Sequence, residues 1–433
     1  MHWKRRPFLA LALVLVFVAS SGPAVARPLV QLLEETVTAH DLVKAAEARR
    51  DGARARVSYA RGERMPHLEA VANVGPERID FPGDVKTTNE VRDMQTLAAR
   101  QLLFDFGRSG AGISRAQSGL ERAEAELTAV RQEILLRGIT ACLDVLRHRE
   151  RLRLALESEK RIIEQTGIEE TLVTKGAGLA SDVLQAKSQL AGARAQLAKV
   201  EGQLAVARNR FVAVFGLEPT DEFLADLELP EAPFAQAPSS QAKAAATALE
   251  NSVEVQVAHF NIDMARQDVA GAKAGYFPRL HLVGEAERQH DDQGIDGTRT
   301  EVRGLVEMTW DVFSGGKQQA LTREARSALT DHELRLDDLR KRIEERVAEA
   351  WQEMLTTREN ARLLRDQAQI LEEFLDLAKR ERLLGTRSLL DVLNGEVGHL
   401  NAQSNAVSAE TDRAIALYSL FHAMGQLDVD LMR

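Results

Sequence analysis

Over residues 108–174, apolar or small side chains recur at every seventh position, Leu120, Leu127, Ile134 and Ala141. Residues 317–383 answer with Leu329, Leu336, Ile343 and Ala350. A seven-residue repeat marks a coiled-coil seam. The segments that follow keep the spacing in smaller residues, Ala186, Ala193, Val200 and Ala207, then Gly395, Ala402, Ala409 and Ala416, which let helices approach closely. Proline, which costs a helix interior about 3 kcal/mol, is absent from 83–218 and 279–433. The pattern predicts two antiparallel helical hairpins, 108–174 with 181–215 and 317–383 with 390–424. Each return arm is shorter than its outgoing arm, so a second helix must complete it; 29–58 and 241–275 are the candidates.

Between these segments the period changes to two. In EVRGLVEMTW (301–310), Val302, Gly304, Val306, Met308 and Trp310 alternate with Glu301, Arg303, Glu307 and Thr309, and Leu305 is the exception. In PRLHLVGEAE (278–287), Leu280, Leu282, Gly284 and Ala286 alternate with Arg279, His281, Glu285 and Glu287, and Val283 breaks the pattern. Ten-residue strands with one apolar and one charged face fit transmembrane β-strands around a polar lumen. A half-buried soluble hairpin fits the pattern as well. The first copy is weaker, PHLEAVANV (66–74) with QTLAARQLLF (95–104), and polar glycine-bearing loops, RIDFPGDVKTTNE and RQHDDQGIDGTRT, are expected to join each pair. Four strands cannot close a barrel, and an open sheet edge cannot face lipid. Membrane-spanning strands therefore require several chains to share one barrel, and three copies would give twelve strands.

An offset of 209 residues carries Phe104 onto Phe313, Gly107 onto Gly316, Gly176 onto Gly385, Asp182 onto Asp391 and Gly216 onto Gly425. One constant offset over so long a stretch identifies an internal duplication. It divides the chain into a leader (1–26), a first repeat (27–217), a linker or equatorial segment (218–245) and a second repeat (246–433). The glycines of FDFGR and FSGGK are expected to turn a strand into a helix. GRSGAG lacks the Lys-Ser/Thr of a phosphate-binding loop, and Gln318 follows the lysine of SGGKQQ.

Composition narrows the function. Basic residues Lys4, Arg5 and Arg6, an apolar run from Phe8 to Ala19 and small residues at Ala24 and Ala26 read as a secretory signal peptide cut after Ala26. No later run reaches the length of a transmembrane helix. Cys142 is the single cysteine, so no intrachain disulfide is expected and a core or seam position is. A net charge of −9 argues against a nucleic-acid partner. HDDQGID (290–296) carries only part of a calcium-loop pattern. No catalytic set, metal spacing or cofactor motif stands out, so neither enzymatic activity nor a cofactor or metal is expected.

The leader, the duplicated FDFGR and FSGGK, the duplicated Gly-x5-Asp-Val-Leu turns and the LYSLFHAMGQL ending together resemble the TolC family of outer membrane factors over nearly the whole mature chain. The resemblance implies an α+β membrane protein. It would be a homotrimer whose twelve-stranded transmembrane β-barrel, four strands per chain, is continued by a long periplasmic α-helical coiled-coil barrel. It implies a passive exit duct in the outer membrane, contacting outer membrane lipid and working with a periplasmic adaptor (membrane fusion protein) and an ABC or RND inner-membrane transporter. LLGTRSLLDVLNGE is most similar to members working in type I secretion, with multidrug efflux the other family role. By the same resemblance, Gly176 and Gly385 lie at the tips where adaptors dock, and Arg387 latches the second hairpin to Ser181 and Asp182 of the first. Asp391 would project into a closed constriction, with Asn394 standing where the family has a second acid. A soluble periplasmic coiled-coil adaptor or scaffold is the competing reading, and it gives no reason for strands charged on one face and apolar on the other.

Overall fold

The computed structural model describes residues 29–80, 88–177, 179–225, 227, 232–292 and 295–432. The expected leader (1–26), Gly178 and parts of the linker and of both strand connections lie outside the described residues. Each half of the chain runs through a broken helix, a strand pair and a long hairpin. The first half contains α1 (Leu29–Ala39), α2 (Asp41–Gly62), β1 (His67–Ile79), β2 (Thr88–Phe104), α3 (Arg108–Thr174) and α4 (Ala180–Phe215). After the short α5 (Asp221–Ala225), the second half repeats the order with α6 (Gln241–Asn251), α7 (Val253–Ala274), β3 (Arg279–Asp292), β4 (Ile295–Thr309), α8 (Lys317–Leu383) and α9 (Leu389–Ala423). At 67 residues each, α3 and α8 are roughly 100 Å long.

The heptad residues do what their spacing predicts. Leu127, Ile134, Ala141, Leu336 and Ile343 are buried on the outgoing helices, as are Ala186, Val200, Ala207, Ala402, Ala409 and Ala416 on the return helices. The main core lies at mid-height, where Leu32, Leu33, Ile139, Cys142, Phe211, Val347, Leu417 and Phe421 pack together. The upper helices are each broken by a cap: His40 Nδ1 accepts from Leu42 N (3.1 Å), and Ser252 Oγ accepts from Val255 N (3.4 Å). Gly425 fits against the second break. Its φ is +69°, and a Cβ there would sit 2.7 Å from the Asn251 carbonyl oxygen, so only glycine can close the C-terminal end of α9 at that point.

The four strands form one antiparallel sheet in the order β1-β2-β3-β4, with β2 paired to β3 across the repeat boundary. The register puts Leu280 opposite Met308, Leu282 opposite Val306, Gly284 opposite Gly304 and Ala286 opposite Val302, and Ala99 and Leu97 of β2 continue that face. The opposite face holds ion pairs, Arg100–Glu307 and Arg303–Glu285. The strands are longer than expected, and much of the two segments read as loops is strand. Above the apolar band both faces of β3 and β4 are polar, so there the period-two signal ends while backbone pairing continues.

Candidate functional site: the hairpin tips and strand–helix junctions

Both tips have the same backbone solution. Gly176 and Gly385 each adopt φ +76° directly after a C-cap. In the first turn Ala177 N bonds Leu172 O (2.9 Å) and Gly176 N bonds Val173 O (2.9 Å); in the second Thr386 N bonds Glu381 O (3.0 Å) and Gly385 N bonds Arg382 O (2.9 Å). Paired bonds of this kind around a left-handed glycine satisfy the last carbonyls of a helix and reverse the chain. The glycine interrupts the helical pattern because the chain must turn there.

Past the turn, Ser388 caps α9 by accepting from Asp391 N (3.2 Å), and the Asp391 side chain is exposed in the first turn. Asn394, one turn on, accepts from Gln189 Nε2 of α4 (3.3 Å), so its amide oxygen is engaged by the first hairpin. Among the described residues the Ser181 hydroxyl donates to its neighbour Asp182 (3.3 Å).

Among the described residues of this one chain, Arg387 does not meet Ser181 or Asp182. The turn folds the Arg387 side chain back over its own hairpin, where Nε lies 3.1 Å from Glu381 Oε2 and the guanidinium sits 5.1 Å from the Phe374 ring centroid. Within the chain it is Arg382 that reaches across to the first hairpin. It donates to the buried Glu169 of the first hairpin (2.8 Å) and to the Arg387 carbonyl oxygen (3.3 Å). A second link runs the other way: Glu396 of the second hairpin, 0% exposed, lies 3.3 Å from Arg161 of the first and 2.7 Å from Lys379 of its own. Neither contact to Glu396 is aligned as a hydrogen bond, so both act as charge pairs. An apolar patch of Ile162, Ala186, Leu389 and Leu393 fills the space between the hairpins. Each hairpin thus inserts a buried carboxylate toward a cation of the other.

The duplicated motifs at the top of the helices share one turn. Gly107 and Gly316 are left-handed, at φ +90° and +81°, and cap α3 and α8. Asp105, which the sequence did not single out, accepts from Gly107 N (3.2 Å) and Ser109 N (2.6 Å). Phe104 meets Phe106 edge-on, and Phe106 stacks on Phe277, each at 4.8 Å between centroids, while Phe313 is 87% exposed. With Tyr276 and Trp310, also exposed, they form an aromatic band where strands become helices.

A four-stranded barrel segment set on long helical hairpins defines an outer-membrane channel subunit. The profile of the outer membrane efflux protein family matches residues 32–217 and 244–426, and the chain belongs to that family. The outer membrane efflux protein BepC of Brucella suis biovar 1 is 24% identical over 375 residues, covering 86% of this chain and 80% of BepC. The alkaline protease secretion protein AprF of Pseudomonas aeruginosa is 24% identical over 380 residues, covering 86% of this chain and 76% of AprF. Among solved structures, the outer membrane protein VceC of Vibrio cholerae superposes with a TM-score of 0.76 at 20% identity, covering 92% of this chain and 96% of VceC. The chain is an outer membrane export channel, with its helices in the periplasm, and the soluble scaffold is set aside.

Proposed function

We propose that three copies of this chain form one passive export duct, gated where the hairpin tips converge. The observation that carries the reading is the sheet: β1 and β4 are its outermost strands, each leaving one unpaired edge, and its apolar face looks outward. Lipid tolerates no such edge, so neighbouring copies must pair β4 with β1. Light scattering in detergent should give the mass of three chains; a stable monomer would remove the reading.

The repeats 27–217 and 246–433, joined by 218–245, act in this reading as alternating staves of one helical barrel. Gly176 and Gly385 present the tips to a periplasmic adaptor, and Asp391 supplies a ring of three carboxylates at the constriction. Arg382–Glu169 and Arg161–Glu396–Lys379 hold the two hairpins of a chain together in the closed state. Type I secretion of a protein, driven by an ABC transporter, is the favoured setting, supported by the names of AprF and of the proteases secretion protein PrtF of Dickeya chrysanthemi, which matches over 98% of this chain. Drug efflux with an RND transporter is the second reading, supported on the side of efflux by the name of BepC. Crosslinking in cells and identifying the co-purified transporter separates them.

A further inference from the structure

A cavity of about 690 Å³ lies just below the aromatic band, lined by Lys273 of α7, by Tyr276 and Phe277 of the link to β3, and by Gln319, Thr322, Arg323 and Arg326 of α8. Its three charged groups are all cations, and no carboxylate lines it. Among the described residues none of the three has an acidic partner, whereas Arg335, Arg340 and Arg342 further along α8 each pair with an aspartate three or four residues away. Three unneutralised cations around one cavity, in a chain of net charge −9, create a local anion site.

Its depth relative to the membrane follows from Trp310. That residue continues the apolar parity of Val306 and Met308, and its indole N–H donates to the Tyr276 carbonyl oxygen (3.0 Å). The cavity therefore hangs directly beneath the lipid-facing side of β3 and β4. Exposed aromatic rings mark the membrane–water interface, and cations at that level meet headgroups.

The geometry points to a binding site for the phosphodiester headgroup of an anionic phospholipid in the periplasmic leaflet, held by Lys273, Arg323 and Arg326 with the acyl chains running up past Tyr276 and Trp310. The inference rests on the outer-membrane placement of the barrel. Native mass spectrometry of the detergent-purified protein with dioleoylphosphatidylglycerol or dioleoylphosphatidylcholine tests it. The glycerol lipid should be retained, up to one per chain, in clear excess over the choline lipid. Lys273→Gln/Arg323→Gln/Arg326→Gln should lower that retention roughly 100-fold, from the usual contribution of a cation near an anionic surface. Single-channel conductance of the variant at the wild-type level shows that barrel and assembly are intact, so loss of lipid then reports on the pocket alone. The wild-type comparison needs no variant: equal retention of the two lipids overturns the proposal. So does retention unchanged in the triple variant, or millimolar inorganic phosphate displacing the glycerol lipid completely, which would make the pocket a site for free phosphate.

Discussion

At the scale of single residues, the tip is governed by who faces whom across the hairpins. Arg382 joins Glu169 and the turn, so Arg382→Gln should leave a buried carboxylate without its cation and cost about 2 kcal/mol of tip closure per chain. Planar-bilayer recordings should then show raised single-channel conductance, and Glu169→Arg/Arg382→Glu should bring it back toward wild type. Arg387→Ser should change conductance little, because its contacts stay within one hairpin; the reverse ranking of the two arginines would reject this assignment. Cys142 provides a probe of the mid-height core. Burial pushes its thiol well above the usual value, so at pH 9, where a free cysteine is largely thiolate, the folded chain should resist thiol reagents and react only on unfolding.

Among the elements, the long helices were legible because two independent signals agreed, a seven-residue seam and an absence of proline. The strands were legible only inside the apolar band. Beyond it no face has to be hydrophobic, and alternation is not required for β3 to reach Asp292 or β4 to begin at Ile295. The cross-hairpin pairs were illegible for another reason: Arg382 and Glu169 are 213 positions apart, and nothing local signals them. The duplication itself holds the clue. Lys379–Glu396 in the second hairpin (2.7 Å) and Glu170–Lys187 in the first (2.8 Å) occupy twin positions with the charges exchanged. Of these four residues, Glu396 is the one that also faces a cation of the other hairpin, Arg161. The faces of the sheet give their own test. Met308→Arg should impair insertion by roughly 2 to 4 kcal/mol if the side chain lies near the bilayer midplane, whereas Glu307→Gln, on the face where Arg100 is its partner, should be tolerated. Heat-resistant oligomer recovered from membranes measures both, and equal losses would mean that the faces are reversed.

For the whole molecule, the duplication predicts how copies meet. Inside one chain the repeats touch through β2 with β3 and α3 with α7, and along the hairpins through α3 with α9. Repeating that step places α8 of one copy against α4 of the next, since α8 is the twin of α3 and α4 the twin of α9. The surfaces suit this contact. Leu363, Ile370 and Leu377 stand exposed along α8 at seven-residue spacing, and α4 offers exposed Ala191, Ala195 and Ala198, small enough to receive them. An apolar stripe left open to water on an isolated chain is thereby covered in the assembly, and the same seam period that builds each hairpin builds the barrel. Ile370 is 65% exposed in the single chain, and burying most of such a side chain contributes roughly 1.5 to 3 kcal/mol. Ile370→Glu should therefore weaken each of the three junctions by at least that amount, since an unpaired carboxylate would also be drawn into the seam. The expected outcome is a trimer that dissociates at lower temperature in detergent, with the circular dichroism of its helices unchanged before dissociation. Thr386→Glu, at the exposed turn outside this stripe, serves as the control and should leave the dissociation temperature unchanged. Matching dissociation curves for Ile370→Glu and the unaltered protein would show that neighbouring copies do not meet along α8, and that the rotation relating the two repeats is not the one that relates the subunits.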